Sequence, residues 1–107
     1  MPITRLISLN GNGGAFTSVP ATIPARSVEL AEDGSVAAQG LQLRYPGDGF
    51  AVTNTVPPGA AVSLTGAGRD GILGLPAQTN RPADVYCQAR SATATATTLR
   101  VLETESL

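Results

Sequence analysis

The 107-residue chain has no histidine, no lysine, no tryptophan and a single cysteine. Each gap removes a class of chemistry. Without histidine there is no imidazole general base, none of the usual catalytic triads and almost none of the donor sets that hold catalytic zinc. Without lysine there is no Schiff base and no phosphate-binding loop of the P-loop kind. One cysteine permits neither an internal disulfide nor a thiolate cluster. No stretch approaches the ~20 apolar residues of a membrane-spanning helix. The opening Met1-Pro2-Ile3-Thr4-Arg5-Leu6 lacks the basic and apolar regions of a secretory signal. These absences predict a soluble protein made in a reducing cytoplasm, without signal peptide or membrane anchor.

Bulk is scarce as well. Aromatics are limited to Phe16, Tyr45, Phe50 and Tyr86, and much of the 42 % hydrophobic content is alanine, so the core is expected to be thin. The length fits one domain, residues 1–107. A thin-cored domain gains stability by burying surface against a partner, which hints at assembly. Net charge is −1, and the seven basic residues are all arginine and scattered. No basic stripe exists for nucleic acid. Arginine's planar fork does suit carboxylates at protein interfaces.

What is present is alternation broken by turns. Ile3, Ile7 and Leu9 share one parity with Arg5 interrupting; Ala15 to Val19 follow the turn Asn10-Gly11-Asn12-Gly13-Gly14; Val28 and Leu30 alternate with Ser27 and Glu29. Glu32-Asp33-Gly34-Ser35 reads as a hairpin turn, and Val36 and Ala38 differ in parity from Leu41, Leu43 and Tyr45, so a register change is expected near Gly40. Phe50, Val52 and Asn54 suggest a strand, as do Ala61 to Thr65. Pro20 and Pro24 bracket a segment that cannot lie inside a sheet. The last quarter, Ala83 to Glu103, reads as strand, Ala/Thr tip and strand, with Val85, Cys87 and Ala89 inward and Tyr86, Gln88 and Arg90 outward. It predicts a long exposed hairpin, ending where Glu103 and Glu105 fray. Gly and Pro recur too often for helices. The expectation is an all-β sandwich, jelly-roll or Greek-key-like, of about seven to nine short strands.

Candidate chemistry is thin. Gly66-Ala67-Gly68-Arg69-Asp70-Gly71 has dinucleotide-fingerprint spacing, but Gly74 and Pro76 would break the helix that such a site needs. Cys87 shares parity with Val85 and Ala89, which makes it a buried structural thiol. The carboxylates Glu29, Glu32, Asp33, Asp48, Asp70, Asp84, Glu103 and Glu105 form no evident catalytic pair and no calcium-loop pattern. No catalytic residue, cofactor or metal site is predicted.

The segment Ala83-Asp84-Val85-Tyr86-Cys87-Gln88-Ala89-Arg90, its small-residue tip and Thr98-Leu99-Arg100-Val101-Leu102-Glu103 resemble the ending of small tailed-phage virion proteins, β-sandwich accessory proteins of the capsid or its appendages. The resemblance covers about a fifth of the chain. It implies a non-enzymatic protein on a symmetric particle, homo-oligomeric with a trimer favoured. The corresponding expectation is a capsid decoration protein on the virion surface that cements the major capsid lattice. A receptor- or carbohydrate-binding module of a tail or fibre is the alternative, and a small carboxylate-dependent hydrolase the third. The candidate interface comprises Tyr86, Gln88, Arg90 and Arg100 with the loop residues Arg69, Ile72, Leu73 and Leu75.

Overall fold

The computed structural model describes residues 2–22, 25–34, 37–46, 49–65 and 85–105. Eight strands occur among them: β1 Pro2–Leu9, β2 Thr17–Pro20, β3 Ala25–Glu32, β4 Leu41–Arg44, β5 Asn54–Val56, β6 Ala61–Thr65, β7 Val85–Ser91 and β8 Thr97–Glu105. They form two antiparallel four-stranded sheets, β1-β8-β3-β6 and β2-β7-β4-β5. This is the strand order of an eight-stranded jelly roll. Among the described residues there is no α-helix, so the all-β sandwich expected from the turn spacing is what forms.

The sheets meet through their inward parities. Val28 and Leu30 of β3, Leu64 of β6 and Leu99 and Val101 of β8 face Val19 of β2, Leu41 and Leu43 of β4, Val56 of β5 and Cys87 and Ala89 of β7 in one buried cluster. Most of these side chains are branched aliphatics of moderate size, which suits a pleated, half-buried surface.

Among the described strands, consecutive ones share a sheet only at β4–β5. This corrects the terminal hairpin: β7 pairs with β2 and β4, while β8 pairs with β1 and β3. Residues 92–96 arch from one sheet to the other. The turn after β3 is likewise a crossing to β4 in the second sheet and not a hairpin. Hairpin and arch have the same alternation and the same turn residues, so the pattern alone does not separate them.

Nor does the Ala/Thr tip project freely. The Asn12 amide donates to the Thr93 carbonyl at 2.7 Å, the Ser91 amide to Asn10 at 2.9 Å and the Ala92 amide to Gly40 at 3.1 Å. Small side chains permit this close packing of loops. A Cβ at Gly11 would lie 2.2 Å from the Ala94 carbonyl oxygen, and Gly40 combines φ of +82° with a Cβ position 2.9 Å from the Val56 carbonyl oxygen. Gly40 is therefore the pivot from which β4 starts at Leu41; Ala38, expected in a strand, lies outside one. Phe50 also departs from expectation, since its φ of +62° is incompatible with a strand, and β5 begins only at Asn54.

Glu32 secures this end. Its carboxylate accepts the amides of Gln39 and Gly40, both at 2.7 Å, and the Thr97 hydroxyl at 2.8 Å. It thereby ties the end of β3 to the approach to β4 and the start of β8.

Gly40→Ala should lower stability by about 1–3 kcal/mol, the usual cost of a disfavoured backbone region. Gly13→Ala, whose new methyl meets nothing within 4 Å, serves as the control. Thermal denaturation should give a clear loss for the first and almost none for the second. Equal melting temperatures would contradict the pivot.

Candidate interaction face

Among the described residues, charged groups lie both at the seam of the sandwich and on its outer faces. At the seam, Glu103 of β8 is fully buried. Its Oε1 accepts Arg5 Nε at 3.0 Å and the Thr22 hydroxyl at 2.6 Å, and its Oε2 accepts the Tyr86 hydroxyl at 2.7 Å and the Thr22 amide at 3.1 Å. Arg5 also donates to the Pro20 carbonyl. One carboxylate thus joins β1, the β2–β3 crossing, β7 and β8. Burial acts to raise the Glu103 pKa, but the Thr22 and Tyr86 hydroxyls, the Thr22 amide and the Arg5 charge together outweigh it and hold the carboxyl below its ordinary range. The strand end expected to fray is instead anchored.

Tyr86 reaches Glu103 because β7 carries a bulge. Val19 pairs with Cys87 but the next residue, Pro20, pairs with Val85, leaving Tyr86 as an extra residue. Pro20 has no amide for the ladder, which fits an irregularity at this point of an edge strand. The bulge turns Tyr86 inward, fully buried beside Cys87. This corrects its assignment to the outer interface. Cys87 is buried as expected, and burial pushes its thiol up to about 12.

The outer face of β2-β7-β4-β5 is different in kind. Gln88 and Arg90 of β7 do project outward, opposite Ser18, Arg44 and Gln42 in the pairing register. Arg44 and Arg90 both place their guanidinium groups over the Phe16 ring, each Cζ 4.2 Å from the ring centroid. Arg90 Nε donates to Gln42 Oε1 at 2.7 Å and its Nη1 to the Gly14 carbonyl at 3.0 Å, while Arg44 Nε donates to the Thr53 hydroxyl at 2.9 Å. The ion pairs among the described residues are Arg5–Glu103 and Arg100–Glu29, so neither stacked arginine has a carboxylate partner there. Arg44 and Phe16 were absent from the expected interface. Arg44 could have been placed by parity, opposite in phase to Leu41 and Leu43.

The outer face of the other sheet holds Arg100, which meets Glu29 at 3.4 Å with both side chains about two-fifths exposed. Beside them is a shallow depression of about 310 Å³ lined by Ser27, Val28, Glu29, Ser63, Leu102 and Thr104. The structure therefore puts Gln88 and Arg90 on one face and Arg100 on the opposite one. Arg69, Ile72, Leu73 and Leu75, with the Gly66–Gly71 motif, lie outside the described residues. No cluster of three or more metal-ligating side chains occurs among the described residues.

Two outcomes follow from the seam. Cys87 in the folded protein should resist a thiol-reactive disulfide reagent at pH 8 and react fully in denaturant; rapid native labelling would contradict its burial. Glu103, whose folded pKa is lowered, contributes stability that is complete above the ordinary carboxylate pKa of ~4.3 and is lost as pH falls through the folded value. Glu103→Gln should cost about 1–3 kcal/mol at pH 7 and flatten the acid limb of the stability profile. Superimposable pH profiles for variant and parent would contradict this.

No protein-family model matches the chain, and a search of the curated proteins returns no match either.

Proposed function

We propose that the chain is a non-enzymatic structural protein of a virion, a capsid decoration protein that binds the assembled major capsid lattice. The observation that carries this reading is the outer β2-β7-β4-β5 face, where two guanidinium groups are fixed on Phe16 without a carboxylate partner among the described residues. The resemblance of the C-terminal segment to tailed-phage accessory proteins supplies the viral setting. The inner ionisable groups support the non-enzymatic part: Glu32 and Glu103 are saturated by donors that hold the sandwich together, and Cys87 is sealed in its core.

Jelly rolls serve both capsid and carbohydrate-binding proteins, so fold alone does not choose between them. The aromatics favour a protein partner. Tyr86 is buried, Tyr45 packs against the core and the Phe16 ring already carries two guanidinium groups, which leaves the half-buried Phe50 alone, whereas a sugar cleft needs an open stacking surface.

In this reading the protein acts by mass action. It binds the lattice and not the separate subunits, so the lattice is stabilised against rupture by the free energy of that binding. Closed symmetric oligomers, a trimer for example, would also cover exposed strand edges.

Capsids carrying the protein should survive higher temperature than capsids stripped of it, as read by release of packaged DNA. Arg90→Glu should leave the melting temperature of the isolated protein within a few degrees but reduce its co-sedimentation with capsids, whereas Arg100→Glu, on the opposite face, should leave co-sedimentation unchanged. Equal capsid stability with and without the protein removes the cementing role.

A further inference from the structure

The donor inventory of the stacked arginines narrows the partner. A guanidinium group carries five N–H donors. In Arg44 the Nε–H is taken by Thr53, and neither terminal nitrogen has an acceptor among the described residues. In Arg90 the Nε–H is taken by Gln42 and one Nη1 hydrogen by Gly14, which leaves Nη2 without one. Each group is thus fixed at its inner edge by a hydrogen bond and on its face by Phe16. What each still offers is its terminal edge, the side that meets a carboxylate through parallel N–H bonds. The usual entropic cost of ordering a long side chain has already been met in the free protein, so binding is preorganised.

We propose that this face is a receptor for the carboxylate side chains of an acidic segment on a partner protein, with Arg44 and Arg90 as two prongs met by one segment. Because both groups sit on one ring, two carboxylates close together in sequence can engage both. A second copy of this chain is a poor occupant. Among its described carboxylates, Glu32 and Glu103 are consumed internally, Glu29 is engaged by Arg100 and Asp33 has an interaction of its own. Nucleic acid is a poor one too, since two cations on a chain of net charge −1 give no track for a phosphate backbone. The inference rests on reading the molecule as a binding protein and is independent of whether its particle is viral.

The test uses the full chain and no particle, so its failure is distinct from failure of the capsid experiment. Arginine Nε–Hε and Phe16 ring resonances are followed by NMR during titration with a blocked ten-residue Gly/Glu peptide. The same peptide with Gln for Glu and a single-stranded oligonucleotide of equal charge are run in parallel. Saturable shifts at Arg44, Arg90 and Phe16 are expected with the Glu peptide only, and they should weaken as salt is raised. Arg44→Gln and Arg90→Gln should each reduce affinity about tenfold, the loss of roughly one charge-assisted contact. Arg44→Lys, which retains charge but not the fork, should also weaken binding and guards against a glutamine variant that misfolds. Absence of shifts at these residues, affinity unchanged in the variants, equal binding of the oligonucleotide, or concentration-dependent dimerisation through this face would each overturn the proposal.

Discussion

The buried carboxylate of Glu103 is the constraint on which the arrangement of the two sheets depends. An ionised carboxylate without partners in a protein interior costs several kcal/mol, so it persists only where donors are brought to it. Here four donors converge on its two oxygens, from Arg5 on β1, Tyr86 on β7 and Thr22 in the β2–β3 crossing. The donors come from three parts of the chain, two of them from Thr22, and one, Tyr86, belongs to the opposite sheet. Sliding either sheet would leave the charge unsatisfied. An aliphatic core of modest side chains sets no such register on its own.

A second carboxylate works at the other end of the sandwich. Glu32 gathers Gln39, Gly40 and Thr97, and Glu103 lies six residues further along β8 than Thr97, or about 20 Å at the usual strand rise. The two acids therefore fasten the sandwich near its two ends with little aromatic bulk between them. This arrangement uses buried Glu103 and half-buried Glu32 for structure and leaves the outer faces with different duties. Arg100 on the first sheet is neutralised by Glu29, while Arg44 and Arg90 on the second rest on an aromatic ring without a carboxylate partner among the described residues.

Much of this was legible where period 2 held. The inward sets Val28 and Leu30, Leu41 and Leu43, and Leu99 and Val101 follow from alternation alone, as do the burial of Cys87 and the outward placement of Gln88 and Arg90. Tyr86 was not legible by alternation, because one bulged residue reverses the facing of everything before it. The arch between β7 and β8 was not legible because partner choice is non-local. The Glu103–Arg5 pair did leave a trace: each is a charge on the apolar parity of its own strand, and opposite charges so placed can satisfy each other only inside. Phe16, just ahead of β2, and Arg44 on β4 form a site between segments distant in sequence, so spacing along the chain carries no sign of it.

The central claim is that the stacked arginines are the contact surface and the acids within are structural. The most direct measurement is a cryo-electron microscopy structure of the protein bound to its particle. The account predicts partner carboxylates within ion-pair distance of Arg44 and Arg90, with Glu103 still enclosed by Arg5, Thr22 and Tyr86. A bound structure in which the Phe16 face is bare to solvent while the partner sits elsewhere would contradict it.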